Sequence, residues 1–140
     1  MIEKVILVDK KNIPTLKKDY MVINKMEIKD KDNILIKVLF HGGCKEHFFR
    51  LFGFFGDTGI LSLLLEHDSN GDNCKMIVRE DLVFNLSTVK NNYTIRNDIQ
   101  DNFLILKLEN LETKYYIAWV SLMKFYIHLN YQSFGNISKL

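Results

Sequence analysis

Cys44-Lys-Glu-His47 and His67-Asp-Ser-Asn-Gly-Asp-Asn-Cys74 bring both cysteines and two of the four histidines of this chain within thirty-one positions. Two thiolates and two imidazoles are a complete tetrahedral ligand set for zinc, matched to it by softness and by geometry. Four protein ligands at Cys44, His47, His67 and Cys74 would close the shell, which makes the site structural. If one ligand were absent from the metal, the open position would admit water, and Glu46 or Asp68 would be the candidate general base of a zinc hydrolase. His41, at the end of a strand beside Gly42, is a candidate substitute ligand. The order Cys-x2-His then His-x6-Cys is not a zinc-finger spacing. The same residues therefore support two further readings: a Cys44–Cys74 disulfide, worth roughly 3–4 kcal/mol in the chain-entropy model, or two free buried thiols.

Other chemistry is excluded more sharply. Asp68-x-Asn70-x-Asp72 fits the first positions of a calcium loop, but the sixth position is Asn73 and the twelfth Arg79, where glycine and glutamate are required. Cys44 and His47 at i,i+3 lack the geometry of a nucleophile–base pair, and no oxyanion-hole motif accompanies them. His128 lies among aromatics and reads as a packed, hydrogen-bonded residue. No glycine-rich phosphate loop follows a strand. Three Asn-x-Ser/Thr triplets, beginning at Asn85, Asn92 and Asn136, carry no weight in an asparagine-rich chain.

The elements that must position these residues read as strands. Period-two alternation of β-branched and aromatic residues, bounded by Gly, Asn and Asp, marks Val5–Val8, Tyr20–Ile28, Ile34–Phe40, His47–Phe52, Ile60–His67, Lys75–Val78, Leu82–Leu86, Phe103–Leu108 and Tyr115–Val120. About eight short strands without a long helical stripe predict an all-β fold, an antiparallel β-sandwich of immunoglobulin-like type. Residues 92–102 read as a polar loop, Glu109–Thr113 as the turn of a terminal hairpin, and Ser121–Tyr131 as a short C-terminal helix or a docked irregular segment. If His47–Phe52 and Ile60–His67 form a hairpin centred on Asp57, His47 faces His67 directly, on the same side of the sheet. Asn70 and Gly71, with Asp68 and Asp72, then turn the chain back toward Cys74.

At 140 residues the chain fits one domain, residues 1–140, with apolar content enough for a core and a single proline, Pro14. Nineteen basic and seventeen acidic residues leave +2, which argues against a nucleic-acid binder. Residues 1–50 carry eleven basic against seven acidic side chains, a mild asymmetry. The opening MIEKVILVDKKN is too short in apolar run for a signal peptide or a membrane span. As written, the chain is expected in the cytoplasm, where paired cysteines favour metal; a removed leader would make it periplasmic or extracellular and favour the disulfide. Phe52-Gly-Phe-Phe-Gly56 is an apolar hairpin tip. It either folds over the sandwich end or presents Phe54 and Phe55 to a protein partner.

Three segments, His41-Gly-Gly-Cys-Lys-Glu-His47, His67–Cys74 and Leu82-Val-Phe-Asn-Leu-Ser87, resemble segments of uncharacterised small bacterial β-sandwich proteins, many of them lipoproteins. The resemblance spans roughly residues 34–120 and implies a sandwich, with no activity or ligand attached to it. As written, the chain is expected to depart from the lipoprotein pattern, which calls for a leader and a lipidation cysteine. The expectation is a non-enzymatic binding or interaction module holding a structural Cys2His2 zinc site. The alternatives are the zinc hydrolase and an exported accessory domain stapled by the disulfide.

Overall fold

Alternation along the chain is converted directly into two sheets. In a computed structural model, residues 2–56, 59–97, 103–109, 114–121 and 131–135 are described. One sheet has the order β1-β7-β4-β3 and the other β10-β9-β8-β6-β5-β2. The first is built from β1 (Glu3–Lys4), β3 (Val22–Ile28), β4 (Asn33–Gly42) and β7 (Met76–Asn85). The second holds β2 (Ile6–Leu7), β5 (Phe48–Phe55), β6 (Leu61–Asp68), β8 (Phe103–Glu109), β9 (Lys114–Ser121) and β10 (Tyr131–Gly135). Eight of these strands have five or more residues, as expected for the sandwich.

In β4 every second residue points inward, so Ile34, Ile36, Val38 and Phe40 are buried while Lys37 faces outward. Leu51, Leu61, Leu63, Leu106 and Leu108 supply the opposing layer, and all join one apolar cluster with Met26 of β3. Burying each such side chain removes enough apolar surface to contribute about 1.5–3 kcal/mol.

The N-terminal segment ties the sheets together. Glu3 and Lys4 pair in parallel with Phe84 and Asn85, Val5 plunges into the core, and Ile6 and Leu7 pair in parallel with Phe52 and Gly53 of the other sheet. Val5 N–H donates to Asn85 O at 3.1 Å and Val8 N–H to Gly53 O at 2.9 Å. Both sheets thus gain a short edge strand from one stretch of chain.

Three details differ from the sequence reading. Lys75–Val78 and Leu82–Leu86 belong to one strand, β7, which pairs with β4 continuously from Gly42↔Met76 to Asn33↔Asn85. The charged Arg79-Glu80-Asp81 stretch is no turn, because Lys37 lies opposite Asp81 and meets it at 3.9 Å. Residues 92–97, read as loop, belong to helix α1 (Ser87–Asn97). Asn85 Oδ1 accepts from Ser87 N–H at 3.0 Å at its start, and buried Leu86 and Val89 anchor it. The β5–β6 hairpin pairs Phe49 with His67, two residues away from the expected register, because Gly56 N–H donates to Ile60 O at 3.2 Å and sets the loop one position later. Of Ser121–Tyr131, expected as a C-terminal helix or docked segment, Ser121 ends β9 and Tyr131 opens β10; residues 122–130, with His128, lie outside the described residues, as do residues 110–113 of the expected turn. Among the described residues no helix is long and apolar enough to cross a membrane.

Candidate functional site

Cys44, His47, His67 and Cys74 meet at one end of the sandwich. β4 ends at Gly42, and Gly43, with φ of 104°, turns the chain outward into Cys44. His67 sits near the end of β6 and is followed by a tight turn. Asn70 and Gly71 both have positive φ, 57° and 69°, and Asp72 N–H donates to Ser69 O at 3.0 Å. Those signs are the Asn-Gly signature of a type I′ turn. The turn returns Asp72 and Cys74 to the Gly43–Lys45 loop.

The cysteines are joined to each other by a disulfide with Cα atoms 5.9 Å apart. The expected Cys2His2 zinc set is corrected accordingly. Both sulfurs are spent on one another, and the imidazoles bond to each other and to Asp72. With Asp72 the sulfurs do form a cluster whose ligand-type atoms lie within 4.8 Å of one another.

Asp72 organises the junction. One carboxylate oxygen accepts from Cys44 N–H at 3.1 Å, Lys45 N–H at 3.0 Å and His47 Nε2 at 2.9 Å. The other accepts from Cys74 N–H at 3.0 Å. These donors, Cys74 N–H first and His47 second, hold its carboxyl well below the usual carboxylate range. Gly42 is required beside it, since a Cβ there would lie 2.6 Å from His47 Nε2.

The bonds form a line: Asp72 to His47, His47 Nδ1 to His67 Nε2 at 2.8 Å, and His67 Nδ1 to the Asp19 carbonyl at 3.0 Å. Both ends of the line only accept, so His47 Nε2 and His67 Nδ1 must each carry a proton. Two neutral rings would then place lone pairs face to face across 2.8 Å. The contact therefore needs one hydrogen between the two facing ring nitrogens, with the Asp72 carboxylate accepting at the far end of the line. Burial is the leading cause that pushes His67 below its usual value, which favours its neutral form. Phe40 stacks on His47 with centroids 4.4 Å apart, and Phe49 lies parallel to His67 at 4.7 Å. His47 is 8% exposed and His67 1%. Among the described residues no buried side-chain polar atom lacks a partner.

The remaining candidates lie elsewhere. His41 is exposed and opposite Ile77; strand alternation sends it to the face away from Gly42 and His47. Glu46 is exposed. Asp68 accepts from Asn70 N–H at 2.9 Å and pairs with Lys17 Nζ at 3.2 Å, on the side of β6 away from His67. The two imidazoles bond to each other, to Asp72 and to the Asp19 carbonyl, and among the described residues neither Glu46 nor Asp68 bonds to either ring. Phe54 and Phe55, expected as partner contacts, are half-buried, and Phe55 packs against the core. Exposed apolar side chains follow His47 and Cys74 closely in the chain: Phe48 at 47%, Met76 at 66% and Ile77 at 67%.

Sequence reasoning missed Asp72 and Asp19. The available signal for Asp72 was its place two residues before Cys74 at the end of an Asn-Gly turn, where an aspartate readily caps backbone N–H groups. Asp19 contributes a backbone carbonyl, for which no residue-type signal exists. Its side chain accepts from Ser69 N–H at 2.7 Å, which holds its own carboxyl below the usual value.

Neither a protein-family model nor a curated protein matches the chain. Its fold is similar to solved structures. A NigD-like immunity protein from Bacteroides caccae superposes with a TM-score of 0.55 at 21% identity, covering 81% of this chain and 53% of that one. A protein from Bacteroides fragilis described as a lipoprotein superposes with a TM-score of 0.54 at 10% identity, covering 98% of this chain and 72% of its own. The chain therefore spans about half the length of the first, at 53%. These likenesses agree with the resemblance to small bacterial lipoprotein-like sandwiches, and they show the fold.

Proposed function

We propose that this chain is an exported, non-enzymatic binding module, stapled by the Cys44–Cys74 disulfide and acting by contact with a protein partner. The observation that carries the reading is the disulfide set into a saturated polar junction. A structural disulfide persists in an oxidising compartment, which runs against the cytoplasmic expectation and supports a periplasmic or extracellular one. The saturation supports a structural role, because His47, His67 and Asp72 are each engaged within the junction. Exposed Phe48, Met76 and Ile77, close in the chain to His47 and Cys74, supply apolar contact area. The likeness in fold to a protein described as an immunity protein supports a role in protein recognition.

The test is the state of the two sulfurs in protein produced in the periplasm and purified without added reductant or metal. Intact mass after alkylation under denaturing conditions is expected to show both cysteines blocked from the alkylating reagent. Two alkylated cysteines with one equivalent of zinc in the purified protein would overturn the reading in favour of the Cys2His2 site.

A further inference from the structure

A cleft of about 570 Å3 opens between the sheets, walled by Phe48–Arg50 of β5 on one side and Glu80–Phe84 of β7 on the other. Both walls are sheet edges. β5 pairs with β6 along its length, but on its other side β2 covers only Phe52 and Gly53. β7 pairs with β4 along its length, but on its other side β1 covers only Phe84 and Asn85. Among the described residues, no strand covers the outward edge of β5 before Phe52 or of β7 before Phe84. Open edges carry rows of unpaired backbone N–H and C=O groups and are templates for a further strand.

The charge of the cleft is one-sided. Glu3, Glu46, Glu80 and Asp81 line it against Arg50 and the ring of His47. Arg50 is already engaged, with its Nε 2.5 Å from Glu66 Oε1. Asp81 has Lys37 at 3.9 Å. Glu3, Glu46 and Glu80 make no ion pair among the described residues. Between the carboxylates the lining is apolar, with Phe49 and Leu82 packed against the core.

We infer that this cleft accepts an extended segment of a protein partner, in which apolar residues alternate with lysine or arginine, added as a strand to the open edge of β7 or β5. This rests on the binding role proposed above and names its partner class. An extended segment matches two needs of the cleft together. Its backbone satisfies the free edge, and its period of two sends one set of side chains to the inner face beside Phe49, Leu82 and Glu80 and the other to the outer face beside Asp81. A strand of about five residues, the common length in folded proteins, covers the open stretch of β5.

The test uses a blocked synthetic peptide of alternating lysine and valine, its glutamate–valine counterpart, and a lysine–valine version N-methylated at alternate positions. N-methylation keeps charge and removes strand-forming N–H groups. Binding is followed by titration and by amide hydrogen exchange on the oxidised protein. The basic peptide is expected to bind and to slow exchange within Met76–Val83 or Phe48–Leu51, with the N-methylated and acidic peptides at least tenfold weaker. Glu46→Lys, at an exposed position, is expected to weaken the basic peptide severalfold while leaving thermal unfolding unchanged, and Glu80→Lys, at a half-buried position on the face of β7 that carries Leu82, is expected to weaken it severalfold as well. Equal binding of the N-methylated peptide would reduce the site to a charged surface and overturn the inference. So would no binding of the basic peptide, or a dimer of this chain that Glu80→Lys disperses, which would assign the edge to a second copy. The sulfur state is read separately, so loss of the cleft reading leaves the exported-module reading standing.

Discussion

Removal of the cross-link by Cys44→Ala with Cys74→Ala is the perturbation with the most calculable outcome. The bridged residues are 30 positions apart, and the chain-entropy relation for a loop of that size gives about 3.6 kcal/mol at 25 °C. The junction survives the change in the folded state, because Asp72 still binds the backbone N–H groups on both sides of it. The loss therefore arises mainly in the unfolded chain, which expands once it is no longer tied. Domains of this size have about 5–15 kcal/mol of stability, so the variant is expected to remain folded at room temperature. With a urea m-value of about 1.5–2 kcal/mol/M, the midpoint should fall by about 2 M, and m itself should rise as the unfolded state exposes more surface. Urea unfolding followed by tryptophan fluorescence and by circular dichroism measures both quantities. A loss below about 1 kcal/mol with m unchanged would refute the reasoning, since it would mean that the cross-link does not restrict the unfolded ensemble.

Gly42→Ala puts a Cβ 2.6 Å from His47 Nε2 and 3.0 Å from Asp72 Oδ2; the expected cost is about 2–3 kcal/mol, read by the same urea unfolding. His67 has a folded pKa below its ordinary 6.5, so below that pH the unfolded chain takes up a proton that the folded one refuses. Stability is then lost as pH falls from about 7 toward 5, and His67→Gln, which keeps a donor and an acceptor without titrating, should flatten that limb of the urea midpoint. Asp72, lowered from 3.8, adds a further loss only below the ordinary carboxylate range. Asp72→Asn replaces an all-acceptor group by one that must aim a donor at another donor. It should slow re-formation of the disulfide in reduced protein, measured as the half-time of thiol disappearance, and shift the imidazole 15N resonances of His47 and His67.

The meeting of the two histidines was legible in the sequence even though the hairpin register was not. The observed pairing, Phe49 with His67, departs from the expected one by two residues. A slip of two preserves the face on which every side chain lies, whereas a slip of one would have sent the rings to opposite faces. His47 thus reaches His67 diagonally, at 2.8 Å between ring nitrogens. What the sequence did not disclose is what the rings were for. Two sulfurs and two imidazoles are equally a zinc shell and a disulfide beside a hydrogen-bonded imidazole pair, and the difference is made by Asp72. Its acceptors reach N–H groups 27 and 28 positions away, contacts with no local periodicity to betray them. The break read into β7 at Arg79-Glu80-Asp81 has a related origin. Charge in an amino-acid sequence marks a solvated position without saying whether that position is a turn or the outer face of a strand, and only the partner Lys37 across the ladder decides it. Strand parity is a local property and survives errors of register, whereas the identity of a polar junction is tertiary; the cleft edges belong to the second kind, because an edge is defined by which strand fails to arrive.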